Sequence, residues 1–198
     1  MPRIWLGTLR QWHWISSALC LVGMLLFALT GITLNHAAQI EADPDVVTHE
    51  LRLPEALLAP LRDAPPTAGL PDDLARWLEA ALPIDLDGRT PEWSDDELYL
   101  ALPRPGGDAW LSLTLDTGEL IYEVTDRGWI AWLNDLHKGR NTGSAWSWFI
   151  DGFAIACVIF SATGLLLLQR HASNRPTTWP LVGLGLLIPL LLALLFIH

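Results

Sequence analysis

Charged residues are scarce in this chain of 198 residues: they make up 17% of the sequence, whereas apolar residues make up 51%. Soluble domains usually carry about 25% charged residues. Only two cysteines are present, and neither lies in a Cys-x-x-Cys-His motif, which excludes a disulfide-stapled domain and covalently attached haem. The composition therefore indicates an integral membrane protein.

Acidic residues are almost absent from the two ends of the chain. Of the 22 Asp and Glu residues, 21 lie between Ala37 and Ala145, where 8 basic residues leave a net charge of −13. The rest of the chain carries 4 basic residues and 1 acidic residue, a net charge of +3. Because an acidic surface repels a phosphate backbone, nucleic-acid binding is excluded. We therefore predict an acidic domain inserted into a basic membrane frame.

Three apolar runs predict transmembrane helices. The first, 14–34, has no charge over 21 residues, and at about 1.5 Å per residue it crosses a hydrocarbon core of roughly 30 Å. The second, 146–168, holds only Asp151, and the third is 181–197. The alternative for the first run is a cleaved signal peptide, which its length and the lack of small residues at its end disfavour.

The positions of the cations predict the topology. Arg3 and Arg10 precede the first span, and Arg170 and Arg175 lie between the second and third. Because Lys and Arg are retained on the cytoplasmic side, we expect a bacterial inner-membrane protein with a cytoplasmic N-terminus and a periplasmic insert. The predicted order is N-terminus and first span 1–36, acidic domain 37–145, second span 146–170, cytoplasmic loop 171–180 and third span 181–198. Tryptophans at the run ends are interpreted as interface anchors: Trp12, Trp14, Trp146, Trp148 and Trp179.

The acidic insert has the pattern of a small α+β domain. Apolar residues at helical spacing over 74–82, after an acidic first turn, predict one amphipathic helix. Alternating patterns over 97–102, 109–115 and 120–125 predict a three-stranded antiparallel meander. The segment 41–69 is not assigned as a whole, although a strand over 48–53 and a short helix after Pro54 fit its pattern. The predicted fold class is integral membrane α-helical, with this domain between the first and second of three spans.

Several motifs together resemble the PepSY-associated transmembrane helix family. They are the segments 12–14 (Trp-His-Trp), 30–36 (Thr-Gly-Ile-Thr-Leu-Asn-His), 113–119 (Leu-Thr-Leu-Asp-Thr-Gly-Glu), 134–139 (Asn-Asp-Leu-His-Lys-Gly) and 163–165 (Thr-Gly-Leu). Some members of that family resemble or act as membrane haem proteins that pass electrons to periplasmic ferric siderophores, and others have no assigned role. The resemblance therefore implies a PepSY-like domain and, as an expectation, b-type haem and ferric or other metal reductase activity. This chain has fewer predicted spans than the larger members.

Four histidines lie at the ends of the first two spans. His13 and His171 lie at the predicted cytoplasmic ends, whereas His36 and His137 lie at the predicted periplasmic ends. A b-type haem needs two imidazoles that converge from opposite sides of the ring. We predict two candidate pairs of haem-iron ligands, one at each membrane face, for one or two haems per chain. The alternative is four headgroup-level side chains with no ligand.

An internal repeat accompanies these histidines. Phe-x-x-Thr-Gly-x-x-Leu occurs at 27–34 and again at 160–167, and a glycine beside a ligand lets a helix or a porphyrin edge approach closely. His13 and His36 are 23 residues apart, which leaves them about 140° out of phase on an ideal helix. Either the first helix unwinds beyond Gly31, or the two histidines project toward different partners.

Three charged residues complete the candidate site. Asp151 lies a short way inside the second span, where an acid suggests either a proton or haem-propionate role or favourable helix-end electrostatics. Lys138 and Arg140 carry the positive charge that would suit haem propionates or an anionic ligand. His49 and His198 have no partner visible in the sequence, and we interpret them as unrelated to the site.

Two functions of different classes fit these features. The first is a membrane electron carrier, which would take electrons from a cytoplasmic or quinone donor and reduce a ferric siderophore or other metal complex outside, with haem shared in a homodimer as one arrangement. The second is a binding module that grips a periplasmic protein or peptide through a strand edge. No His-Glu-x-x-His, Gly-x-Ser-x-Gly, P-loop or Gly-x-Gly-x-x-Gly pattern occurs, so hydrolysis and direct nicotinamide binding have no support.

Overall fold

A computed structural model describes residues 7–40, 43–62 and 69–197 of the chain. Arg3, His198 and parts of the unassigned segment 41–69 lie outside the described residues. The elements in chain order are α1 (Leu9–Asn35), β1 (Asp45–Arg52), α2 (Glu55–Arg62), α3 (Asp72–Ala81), β2 (Glu92–Trp93), β3 (Glu97–Ala101), β4 (Gly107–Thr114), β5 (Glu119–Asp126), α4 (Gly128–Lys138), α5 (Gly143–His171) and α6 (Thr178–Phe196).

The three predicted spans are confirmed as α1, α5 and α6. Each of these helices is long and apolar enough to cross a membrane, with mean hydropathies of 2.2, 2.0 and 2.4. Their apolar side chains are largely exposed, which is the arrangement that a lipid environment favours. No residue of α6 is buried, and Leu and Ile side chains cover its surface.

The chain divides into two compact units, each described by itself. The membrane unit comprises the described residues of 1–28 and 148–198, and the sheet unit comprises those of 29–147. In the membrane unit, α1 and α5 run antiparallel and contact each other at several levels. A β-carbon on Gly23 would overlap the Phe153 ring, and the Phe27 ring stacks on Phe153 at 5.0 Å. The absence of a side chain at Gly23 therefore leaves room for the Phe153 ring against α1.

The sheet unit contains a five-stranded antiparallel sheet in the order β1-β5-β4-β3-β2. The predicted meander is confirmed as β3, β4 and β5, and the strand expected over 48–53 is β1. β1 pairs along its whole length with β5, from Asp45 opposite Asp126 to Arg52 opposite Glu119. Because the meander has β5 at its end, β1 extends the sheet and becomes an edge strand itself.

One face of the sheet carries the core of the unit. Leucines alternate along the strands with the period of two that a half-buried strand has, and β4 alternates buried and half-buried residues throughout. Leu58 and Leu61 of α2 and Leu74 and Leu78 of α3 pack on this face and are 2% exposed or less. The amphipathic helix predicted over 74–82 is thus confirmed as α3.

Two elements of the sheet unit were not predicted from the sequence. β2 has only two residues and pairs with β3 at Glu92 opposite Tyr99. α4 is an eleven-residue helix between the last strand and α5, and Gly139 ends it in the left-handed conformation with φ of 66°. A glycine adopts that conformation without the steric cost that a β-carbon brings.

Candidate functional site

His13 of α1 is held against α5 in the membrane unit. Its Nδ1 lies 3.0 Å from the Thr163 hydroxyl oxygen and 3.2 Å from the Phe160 carbonyl oxygen. Its ring also stacks on the Phe160 ring, with centroids 4.9 Å apart and an angle of 12° between the planes. The orientation of this imidazole is therefore fixed by two hydrogen-bond acceptors and one aromatic face.

These contacts determine which ring nitrogen of His13 carries the proton. The Thr163 hydroxyl donates its only proton to a carbonyl of its own helix, at 2.6 Å from Ile159 O and 3.0 Å from Phe160 O. Its oxygen can therefore only accept from His13, and the Phe160 carbonyl also only accepts. It follows that Nδ1 is the protonated nitrogen of the neutral ring, so Nε2 presents a lone pair.

His171 meets His13 at a common cavity. The cavity has a volume of about 360 Å³ and is lined by His13, Gly164, Leu167, Leu168 and His171. The Nδ1 of His171 donates to the Leu167 carbonyl at 2.8 Å, so its Nε2 also presents a lone pair when the ring is neutral. The structure therefore brings together the histidine pair predicted for the ends of the first two spans.

Gly164 makes room for this arrangement. A β-carbon at Gly164 would lie 3.3 Å from Cε1 of His13, which is tighter than an ordinary van der Waals contact. Seven helical steps of about 100° separate Gly164 from His171, which leaves them only about 20° apart around α5. The imidazole of His13 and the side chain of His171 therefore lie on the same face of this helix.

The sheet unit repeats the same contact with the other copy of the Thr-Gly motif. The Nδ1 of His137, on α4, lies 2.7 Å from the Thr30 hydroxyl oxygen. A β-carbon at Gly31 would lie 3.5 Å from Cε1 of His137. The repeated sequence motif thus makes the same contact twice: each Thr-Gly pair contacts an imidazole from another helix.

His36 is placed differently from its predicted partner. It lies just beyond the end of α1, is exposed, and its Nδ1 donates to the Ile32 carbonyl at 3.0 Å. Five helical steps separate Gly31 from His36, a rotation of about 140° away from the face that His137 occupies. α1 stays helical through Asn35, so the helix does not unwind after Gly31, and His36 turns back to its own helix.

Buried polar contacts fix α4 against the end of α1. Asn134 is 8% exposed, and its side-chain oxygen accepts a hydrogen bond of 2.8 Å from the Thr33 hydroxyl. The carboxylate of Asp135 accepts from the backbone N–H of Gly106 at 2.9 Å. These contacts hold the helix that carries His137, and the sequence reasoning missed them. Their only signal was Asn134 and Thr33 in the two motifs of the family resemblance.

The remaining predicted residues occupy helix ends or the sheet. Lys138 is the last residue of α4, Arg140 follows it by two residues, and both are exposed. Asp151 is exposed in the third turn of α5 and is not among the residues that line the His13 and His171 cavity. His49 stacks on Tyr122 within the sheet, at 5.8 Å between ring centroids.

The described part of the chain holds no group of three or more His, Cys, Asp or Glu side chains that could bind a bare metal ion. Two imidazoles at one apolar cavity form too small a ligand set for a structural metal ion, which takes four protein ligands. Two imidazoles would be enough to hold a haem, because the porphyrin supplies the other ligands of the iron. The donor set of this cavity therefore fits haem better than a bare metal ion.

Comparison with known proteins identifies one family. A family model described as "Putative PepSY_TM-like" matches residues 4–198. No curated protein and no solved structure matches the chain.

Proposed function

Because this chain belongs to the PepSY_TM-like family of membrane proteins, we propose that it is a b-type haem electron carrier of the bacterial inner membrane. Electrons enter from a cytoplasmic or quinone donor and leave to a ferric siderophore or other metal complex in the periplasm. The observation that carries the proposal is the meeting of His13 and His171 at one cavity, each with Nδ1 hydrogen-bonded and Nε2 bearing a lone pair.

Hydrogen bonding at Nδ1 is what a metal-binding histidine requires. Such a bond fixes the tautomer and the ring orientation, and it makes the imidazole a stronger donor. Thr163 and the Phe160 carbonyl do this for His13, and the Leu167 carbonyl does it for His171. These bonds hold His13 against α5 and His171 against its own helix, as the Ile32 carbonyl holds His36, so the cavity shared with His13 is what favours His171 as a ligand.

The cavity also has a suitable size and lining for a cofactor. Its volume of about 360 Å³ lies at the lower end of the range of about 300–1,000 Å³ for cofactor sites. Leu167 and Leu168 supply apolar walls, and Gly164 leaves the space that a side chain would fill. Haem would supply one-electron chemistry when bound, and the two histidines would hold it at this cavity.

A second haem at the other face uses His137 as its best-placed ligand. Thr30 and Gly31 hold His137 as Thr163 and Gly164 hold His13. His36, whose Nδ1 donates to a carbonyl of its own helix as that of His171 does, would supply the second ligand. Lys138 and Arg140 pair with propionates or with an anionic ferric complex, and Asp151 serves a proton or a propionate. Haem shared between two copies is the homodimeric form of this proposal.

The test is a dithionite-reduced minus oxidised absorption spectrum of the purified protein, with pyridine haemochrome analysis to count haem per chain. We expect a stoichiometric b-type spectrum. His13→Ala and His171→Ala should each abolish the haem of the first cavity, whereas His49→Ala, a matched histidine on β1, should leave haem content unchanged. Colourless protein from haem-replete cells, or full haem content in both cavity variants, would refute the proposal.

A second candidate function rests on the edge strand β1. All its residues except Leu51 are exposed, and Val46 and Val47 are 49% and 46% exposed. An open strand of this length can pair with an extended segment of another protein. In that case the chain is a membrane-anchored binding module without haem. Thr48→Pro, which disturbs the edge, would then abolish co-purification of a periplasmic partner while leaving the membrane helices folded.

A further inference from the structure

The polarity of α4 is the reverse of that of a helix in a water-soluble domain. Its polar residues are used inside the protein, where Asn134 bonds Thr33 and His137 bonds Thr30. Its apolar residues Trp129, Trp132, Leu133 and Leu136 recur at helical spacing of three and four and form one stripe, which lies opposite Asn134 and has His137 at its edge. On this stripe Trp129 is 70% exposed and Trp132, whose Cβ lies close to Gly106, is 45% exposed, while Leu133 and Leu136 are half-buried.

The contacts of α4 lie on the last turns of α1, within the apolar run 14–34. Thr30, Gly31 and Thr33 belong to the charge-free run 14–34, which forms most of α1. Because His137 and Asn134 touch these residues, the C-terminal half of α4 lies beside the last turns of a membrane helix. An element at that depth meets lipid on any side that the protein does not cover.

We propose that α4 is an interfacial helix whose lipid face, formed by Trp129, Trp132, Leu133 and Leu136, lies in the headgroup and upper acyl region of the bilayer. An indole suits this zone because its ring is apolar while its N–H can hydrogen-bond near the headgroups. The only carboxylate of α4, on Asp135, is turned to the Gly106 backbone N–H, so the lipid face carries no charge. This inference does not depend on haem binding.

Alternative occupants of this face would have a different chemistry. A soluble protein partner would leave α4 surrounded by water in the free protein, with two large indoles exposed to it. A second copy would cover the face only where two chains associate through α4. The position of α4 beside the last turns of α1 favours lipid as the occupant, because lipid surrounds a membrane-spanning helix whether or not a partner is bound.

The experiment measures lipid contact at single positions in the full-length protein. In a background in which Cys20 and Cys157 are replaced by alanine, Trp129→Cys carries a polarity-sensitive fluorophore in phosphatidylcholine vesicles. Leu25→Cys, exposed on α1, is the matched lipid control, and Asp87→Cys, exposed in the loop after α3, is the aqueous control. Lipids with a nitroxide on the upper acyl chain and aqueous iodide are the two quenchers.

We expect emission from position 129 to be shifted to shorter wavelength and quenched by the nitroxide lipid to an extent comparable with position 25. Emission and quenching like those of position 87 would overturn the proposal. Blue-shifted emission that disappears as the protein is diluted into more lipid would also overturn it, since a second copy would then cover the face. Leu133→Cys repeats the measurement on the same face if Trp129→Cys does not fold.

Discussion

Replacing Thr163 with valine removes one hydroxyl from the candidate haem cavity with little change of volume. In the structure this hydroxyl accepts from Nδ1 of His13 at 3.0 Å and donates to a carbonyl of its own helix. Valine cannot accept the imidazole proton, but its shape is close to that of threonine. We therefore expect α5 to stay helical and His13 to lose one of its two Nδ1 acceptors.

The magnitude follows from the acceptor that remains. Loss of an outer hydrogen bond to a metal ligand typically costs about 10- to 100-fold in affinity. Because the Phe160 carbonyl stays 3.2 Å from Nδ1, we expect the lower end, a loss of about tenfold in haem affinity, or about 1.4 kcal/mol. The haem midpoint potential should rise, since a less basic imidazole stabilises the ferric state less.

The assay is haem titration of the apoprotein combined with a redox titration of the haem-loaded protein. Thr163→Ser keeps a hydroxyl and should restore both quantities toward the wild-type values. Thr48→Val, at an exposed threonine of β1, should change neither. Wild-type affinity and wild-type potential in Thr163→Val would refute the reasoning. The Thr163 hydroxyl would then make no contribution to haem binding by His13.

Three further predictions concern the sheet unit in the full-length protein. Gly106→Ala should lower its free energy of unfolding by about 1–3 kcal/mol, because φ is 77° and the new β-carbon would lie 2.7 Å from Cβ of Trp132; unchanged urea unfolding would contradict this. Leu78→Ala, at a fully buried position, should cost about 2–5 kcal/mol, whereas Arg76→Ala, in an exposed ion pair with Asp73, should cost less than about 1 kcal/mol. Burial raises the pKa of Tyr122 above 10.0, so the free energy of unfolding should fall as the pH rises above that value, because the unfolded chain releases this proton more readily. Tyr122→Phe should remove this contribution to the pH dependence of unfolding, and an identical pH dependence in the variant would refute the assignment.

The membrane spans could be read from the sequence because their signal is local. A charge-free run such as 14–34 has one stable conformation in lipid, a helix that satisfies its own backbone hydrogen bonds. The strands β3, β4 and β5 were equally readable, since leucines alternate along them and turn residues separate them. In each of these elements the decisive interactions lie within a few residues along the chain.

α4 shows why part of the fold escaped prediction. The apolar residues of this helix have helical spacing: Trp129, Trp132, Leu133 and Leu136. The polar residues between them, however, do not show in the sequence what those polar side chains contact. Asn134 bonds Thr33 and His137 bonds Thr30, residues that lie about a hundred positions earlier in the chain. A pattern of polar residues cannot show whether those residues face water or a buried partner. In α4 the buried partners on α1 determine which side of the helix faces the protein.

The sequence by itself determined which histidines to consider and where they lie along the spans, because span length and charge fix those positions. It also contained the repeated Thr-Gly motif. Only the tertiary structure decided that Thr163 bonds His13 and Thr30 bonds His137, and that His13 and His171 share a cavity while His36 turns to its own helix. The physical reason is that a hydrogen bond between helices depends on their relative rotation, which packing sets and no local pattern encodes.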